Sequence, residues 1–218
     1  MSRCTELGEA SGGPGLSSPR VVALVLAAGR ASRFGSDKRQ ARLPDGRCLL
    51  EAVLQTQREA CDDVRVLLRP DDAWGRALCT EHGAAWLTVP DADRGMGRTL
   101  AAGLRALMND ESSVAGAASS MPGFDAALMV LADMPWVQTA TVRALVSAFQ
   151  REGRPAWPWH GGQPGHPRLL PRADWPALFD LSGDEGARHT VDWFRATRVD
   201  VPDRGILIDI DTPADLGG

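Results

Sequence analysis

Two apolar runs constrain this chain most: Val21 to Leu26 (VVALVL) and Ala126 to Leu131 (AALMVL), each feeding into a short loop that carries glycine or proline. A strand with one wet face alternates apolar and polar residues, whereas an unbroken apolar run suits a strand covered on both faces. The sequence between and after them predicts strands at Val64–Leu68, Ala85–Val89 and Arg168–Leu170, and a last one at Ile206–Ile210. It predicts helices at Leu49–Ala60, Asp72–His82, Thr99–Met108, Thr139–Gln150 and Asp184–Ala196. Leu100, Leu104 and Leu107 share one helical face, and Thr139 reads as a cap. Strand and helix alternating in units this short imply βαβ crossovers: an α/β fold with a mainly parallel sheet and helices on both sides. Trp157 to Pro167 breaks the rhythm and reads as turn-rich, and the Ala/Ser/Gly stretch Ser112 to Ser120 reads as a surface loop.

At 218 residues the chain fits one domain, expected over 20–218, with a flexible Ser/Gly/Pro-rich lead-in at 1–19. Its 44% hydrophobic and 24% charged residues suffice for a core, and the formal net charge of −4 argues against a nucleic-acid coat. The lead-in lacks the apolar segment of a secretory signal. The longest apolar run near the start, Val21 to Ala28, is far short of the roughly 20 residues that span a membrane. Cys4, Cys48, Cys61 and Cys79 form no CxxC pair, so reduced thiols in a cytoplasmic protein are expected.

Chemistry concentrates where apolar strands end. Ligands of open parallel sheets bind outside the carboxyl ends of the strands, and LAAGRASRFGSDK (Leu26 to Lys38) follows the first run directly. Gly29 and Gly35 are expected to take positive φ and bring backbone N–H groups to an anion. Arg30, Arg33 and Lys38 supply charge for phosphate. Gly29 to Arg47 holds six Lys/Arg against two acids, a basic loop in a mildly acidic chain. Neither a P-loop nor a GxGxxG dinucleotide site is present. Asp133, where LMVLADMP ends, projects at the same sheet edge, and a carboxylate beside a triphosphate suits Mg²⁺. Near the C-terminus an apolar segment again runs into acids, DIDTPAD (Asp209 to Asp215), and period-two alternation does not choose between Asp209 and Asp211.

Taken in order, LAAGRASRFGSDK, GMGRTL, ADMP, GHP (Gly165 to Pro167) and DIDTPADL resemble the molybdenum-cofactor nucleotidyltransferase family of MobA-like NTP transferases, across about residues 21–216. The resemblance implies a three-layer α/β/α, Rossmann-like fold of the nucleotide-diphospho-sugar-transferase type, with a mainly parallel mixed sheet. It implies transfer of a nucleoside monophosphate from an NTP to a phosphate-bearing acceptor, molybdopterin or molybdenum cofactor, with release of pyrophosphate. Leu26, Ala27, Ala28 and Gly29 would line the base and sugar, with Arg30, Gly35, Gly97 and Thr99 also on the nucleotide. Arg33 and Lys38 would hold the triphosphate, and Asp133 and Asp211 would hold Mg²⁺. His166, Arg168 and Asp184 would face the acceptor, and molybdoenzyme maturation proteins would be partners. LAAG followed by RFG looks more like the cytidylyl-transferring members, which favours CTP.

The chain departs from the family pattern at Asp37, where proline is common, and at Arg98-Thr99, where Ser-Ser is common. A third departure is RQARLPDGRCLLEA, which brings Arg39, Arg42 and Arg47 to the acceptor side. No general base is needed if the acceptor is already a phosphate dianion, so alignment and positive charge carry the chemistry. Trp157 and Trp159 read as packing, with stacking on a flat pterin ring the alternative. A nucleotide-binding module without turnover, and a transferase for another phosphorylated acceptor, are the competing functional readings.

Overall fold

The computed structural model describes residues 18–29, 34–109, 123–183, 187 and 190–217. Its core is β1 (Val21–Leu26), of which Val21 to Val25 are fully buried. β1 pairs in parallel with β2 (Asp63–Leu68) on one side and β4 (Ala126–Leu131) on the other, and β3 (Ala85–Thr88) extends the sheet parallel to β2. Beyond β4 the direction reverses. β7 (Arg168–Pro171) runs antiparallel to β4, β5 (Ala156–His160) antiparallel to β7, and β6 (Gln163–Pro164) antiparallel to β5. β8 (Thr197–Asp200) pairs in parallel with β5, so the order is β3-β2-β1-β4-β7-β5-β6 with β8 beside β5.

Among the described residues four helices cover the sheet: α1 (Leu49–Arg58), α2 (Ala73–Glu81), α3 (Met96–Asn109) and α4 (Thr139–Glu152). Because successive strand residues face opposite ways, Val21, Ala23 and Val25 pack with Leu50, Leu54, Leu78, Leu145 and Phe149 from α1, α2 and α4. Val22 and Leu24 pack instead with Leu100, Leu104 and Leu107 of α3 and with Trp175. Each such leucine contributes roughly 1.5–3 kcal/mol of burial, and the result is the expected three-layer α/β/α sandwich. A third, smaller apolar cluster joins Leu43, Leu49 and Ala52 to Ile210, tying the segment after β1 to the C-terminal segment.

Local signals set the helix ends. Cys48 and Glu51 form a reciprocal capping box on α1, and Asp72 Oδ1 accepts from Gly75 N–H at 2.8 Å at the start of α2. α4 stops at Gly153, whose φ of 63° is left-handed. Its start differs from expectation: Gln138, not Thr139, is the cap residue, and its side chain caps nothing. The buried Asp203 carboxylate serves instead, accepting from Gln138 N–H and Thr141 Oγ1–H at 2.9 and 2.6 Å. Thr139 turns its hydroxyl to Glu59.

Three further expectations are corrected. The turn-rich stretch from Trp157 contains β6 and all of β5 but its first residue: Pro158 lies opposite Val199 of β8, and its carbonyl still accepts from Gly165 N–H. Ile206–Ile210 is no strand. Residues Arg204–Leu207 form a 3₁₀ turn, and single bonds, Ile206 C=O from His166 N–H and Ile210 N–H to Asp133 C=O, replace a ladder. Within 184–196 the described residues hold only a 3₁₀ turn, Trp193–Arg195, in place of the expected helix. Residues 1–17 of the lead-in and the Ser112–Ser120 loop lie outside the described residues.

Candidate functional site

β1, β2 and β4 are parallel and in register, with Leu26 opposite both Leu67 and Leu131. The loops after these strands therefore leave the sheet at one edge, where the chain crosses to either side of β1, the point at which doubly wound sheets bind ligands. A cleft of about 420 Å³ opens there, lined by Leu26, Ala28, Gly29, Arg69, Ala92, Asp93, Gly95, Met96, Thr99, Leu131 and Asp133. A neighbouring hollow of about 170 Å³ is lined by Leu26, Ala27, Gly29, Asp37, Lys38, Arg39, Ala132 and Asp133. Leu26, Gly29 and Asp133 line both.

Lys38 ties three chain segments together. Its Nζ donates to Asp133 Oδ2 at 2.8 Å, to the Ile210 carbonyl at 2.8 Å and to Asp211 Oδ1 at 3.2 Å. Burial by itself lowers the pKa of this ammonium, but the bonds and charges of Asp133 and Asp211 outweigh it and hold the group above its ordinary value. Asp209 is exposed and stands outside this cluster; Asp211 is the member of the DIDTPAD segment that reaches Lys38. Asp215 explains the remainder of that motif. Its carboxylate accepts from Thr212 N–H, Thr212 Oγ1–H and Asp211 N–H at 2.7, 2.8 and 3.1 Å, which holds it below the usual carboxylate range and fixes the turn that presents Asp211.

The basic stretch is less open than its charge count suggests. Arg39 donates to Asp37, to Asp72 and to the Ala27 carbonyl (2.9 Å), and lies over the Trp74 ring. Its pKa is raised because those carboxylates outweigh burial, and Asp37 is in turn held low, Arg39 outweighing its own burial. Arg47 pairs with Asp45, and Arg42 donates to the Gly46 carbonyl. Arg39 and Arg47 thus serve local structure, contrary to the expectation of cations facing an acceptor. Arg30 and Arg33 lie outside the described residues.

Gly35 has φ +77° as expected, but Gly29 does not have positive φ, and a Cβ there would meet nothing within 4 Å. The glycine that the cleft does require is Gly95, at φ +101°, where a Cβ would lie 2.5 Å from the Gly183 backbone. That approach lets Gly97 N–H, in the first turn of α3, donate to the Gly183 carbonyl at 2.8 Å. Gly97 is therefore buried against the 182–183 turn and lines neither hollow. Thr99 lines the larger one, although its hydroxyl donates back to the Gly95 carbonyl. Asp184 lies outside the described residues, next to Gly183.

His166 and Arg168 line neither hollow. His166 Nδ1 is buried without a partner among the described residues, and burial, with the Arg168 charge adding, pushes its pKa down to about 3. Arg168 lies 5.3 and 4.9 Å from the ring centroids of Trp157 and Trp193. Trp157 packs edge-on against Trp159 and stacked on Trp193, which supports the packing reading of the tryptophans. Residues that sequence reasoning missed are Arg69 and Asp93, which form an ion pair at 2.5 Å on the cleft wall, with Ala92, Gly95 and Met96. Arg69-Pro70 directly follows an apolar parallel strand, so the strand-end rule that singled out Asp133 applied equally to it.

A sheet of this order with its cleft at the crossover of β1 defines the nucleotide-diphospho-sugar-transferase-like fold. A nucleotidyl transferase from Methanothermobacter thermautotroptrophicus (Mth528) has the same fold, with TM-score 0.70 and 18% identity over 90% of this chain and 94% of that one. Residues 23–199 match the MobA-like NTP transferase domain, and the chain belongs to that family. It is also similar to Rv0371c from Mycobacterium tuberculosis H37Rv, with TM-score 0.69 and 25% identity over 90% of this chain and 95% of that one. Over 53 residues it is 42% identical to the "Probable molybdenum cofactor guanylyltransferase" of Chloroflexus aggregans (strain MD-66 / DSM 9485), a match spanning 23% of this chain and 26% of that protein. Among the described residues no helix is long and apolar enough to cross a membrane.

Proposed function

We propose that this protein transfers a nucleoside monophosphate from an NTP to a phosphate-bearing acceptor, releasing pyrophosphate. The observation that carries the reading is the convergence of Lys38, Asp133 and Asp211 at the crossover cleft of a MobA-like fold. The larger hollow takes base and sugar against Leu26, Ala28, Gly29 and Thr99. The smaller one takes the phosphates, with Lys38 on the leaving pyrophosphate and, by the family resemblance, Arg33 beside it. An anionic acceptor meeting an anionic phosphate is repelled, so fixed positive charge and in-line alignment lower the barrier more than proton transfer does. His166 takes no proton in this scheme, since burial keeps its ring neutral at pH 7.

Asp133 and Asp211 suit Mg²⁺. Both carboxylates already converge on one cation, the Lys38 ammonium, and oxygen donors are those a hard ion takes. Among the described residues no three His, Cys, Asp or Glu are grouped to hold a metal, so phosphate and water would complete the shell. When bound, Mg²⁺ would neutralise charge on the transferring phosphate and template its geometry.

The acceptor reading, molybdopterin or molybdenum cofactor, rests on the family motifs and on the name of the Chloroflexus relative. That name favours GTP, whereas the LAAG and RFG motif favours CTP. A pyrophosphate-release screen of four NTPs against molybdopterin and a panel of sugar and alcohol phosphates decides both. Turnover with one NTP and one acceptor class is expected. Nucleotide binding without pyrophosphate release from any combination would instead make the protein a binding module.

A further inference from the structure

We propose that Lys38, as the resident cation of the Asp133–Asp211 pair, also gates the divalent-metal position, closing it to free metal and opening it to metal arriving with a nucleoside triphosphate. The inference deepens the nucleotidyl-transfer reading above and rests on it. An ammonium has three donors and no acceptor, and Lys38 Nζ has three oxygens around it: Asp133 Oδ2, Asp211 Oδ1 and the Ile210 carbonyl. Its side chain is only 16% exposed, so these oxygens take the place of water. The position is already filled as a cation site.

A divalent ion entering alone would draw on the same two carboxylates, each of which already gives an oxygen to Lys38. The displaced ammonium would then face a double positive charge a few ångströms away and would lose partners in a half-buried position, both unfavourable. A triphosphate changes each term. It offers Nζ new phosphate oxygens in the adjoining hollow, which Lys38 already lines, and it brings further oxygens to the metal. The lysine stem can make this move without its backbone. The 3₁₀ turn Lys38–Gln40 is held from the other side, by Asp37 capping Arg39 N–H and by the Arg39 pairs with Asp37 and Asp72. Arg39, so engaged, does not replace Lys38 when it leaves. By linkage the coupling is reciprocal: nucleotide tightens metal binding by the factor by which metal tightens nucleotide.

The test measures Mn²⁺ binding to the full chain by electron paramagnetic resonance, alone and with α,β-methylene analogues of CTP and GTP, against nucleotide-only blanks. Wild type should bind Mn²⁺ weakly alone and about ten- to a hundredfold more tightly with one analogue. Lys38→Met removes the charge and keeps most of the stem; it should bind Mn²⁺ alone about tenfold or more tightly than wild type, and gain less from nucleotide. Lys38→Arg keeps a cation and should bind Mn²⁺ alone as weakly as wild type. If Lys38→Met binds Mn²⁺ no better than wild type while Asp133→Asn still weakens nucleotide-dependent binding, the gating role is overturned and the metal assignment stands. If Asp133→Asn leaves Mn²⁺ binding unchanged in every state, the metal assignment itself falls, and the gating role with it. Should Lys38→Met not fold, wild type still decides: equal Mn²⁺ affinity with and without both analogues overturns the proposal.

Discussion

Lys38 and Arg39 are neighbours in the chain, and each is held by two carboxylates and one backbone carbonyl. Lys38 has Asp133, Asp211 and the Ile210 carbonyl; Arg39 has Asp37, Asp72 and the Ala27 carbonyl. The two cations are about equally covered, at 16% and 14% exposure, but their partners are not: Asp211 is 45% exposed, whereas Asp72 is 7% exposed. Arg39 is a planar fork stacked on Trp74, and its partners Asp37 and Asp72 already cap local turns, so its geometry is spoken for. Lys38 is a point charge on a flexible stem, and its partners come from segments 95 and 173 residues away. The same inventory of charges thus gives one fixed brace for the loop after β1 and one exchangeable contact inside a cleft.

The strongest way to break this contrast is Asp133→Asn. Pyrophosphate release should fall about a hundredfold or more while the thermal midpoint barely moves; a large loss of stability with activity retained would make the Lys38 cluster a brace as well. Arg39→Met should do the reverse. Removing the cation strands Asp72, and stability by urea unfolding should fall by about 2 kcal/mol or more, discounted from a fully buried pair because Asp37 is partly exposed. Arg39→Lys should not restore it, since one ammonium does not reproduce the three separate guanidinium nitrogens that reach Asp37, Asp72 and the Ala27 carbonyl.

An effect that is small near neutral pH and grows only in acid tests the support of the segment that carries Asp211. The His166 pKa is depressed to about 3 by burial, against about 6.5 unfolded. Below pH 6.5 the unfolded chain therefore takes a proton that the folded chain refuses. The His166 contribution is fully present above that pH and is lost as pH falls toward 3, by at most about 1.4 kcal/mol per pH unit. His166→Gln should flatten that part of the stability profile, and an unchanged slope would show that other groups set it. The smallest expected effect is that of Asp209→Asn, which should leave Mn²⁺ binding and turnover near wild type while Asp211→Asn weakens both. Equal losses would dissolve the distinction between the two acids.

Sequence patterning reached β1, β2, β3, β4, β7 and all four long helices, because apolar periodicity is a local property and these elements bury one face or two. It missed β5, β6 and β8, whose residues alternate around prolines and charges at the far side of the sheet, where partners from distant segments decide. It took Ile206–Ile210 for a strand because apolar residues also serve single contacts. Gly205 instead abuts Trp136, where a Cβ would come within 2.2 Å of the carbonyl oxygen, and Ile210 enters a separate apolar cluster. At the site, strand-end reasoning found Gly29, Lys38 and Asp133 but passed over Arg69 and Asp93. It also read Arg39 and Arg47 as open cations, because a charge count carries no information about pairing.

The motifs by themselves determined the family, the three-layer architecture and the sheet edge at which the cleft opens, since strand burial and strand-end loops follow from residues close in the chain. Only the tertiary structure decided that Asp211 and not Asp209 meets Lys38, that Asp203 caps α4, and that Arg39 is a brace. Those outcomes depend on side chains brought together across tens to nearly two hundred residues. Which oxygen a cation finds is settled by packing, here Ile210 against Leu49 and Asp215 on the Asp211 turn, rather than by any local preference.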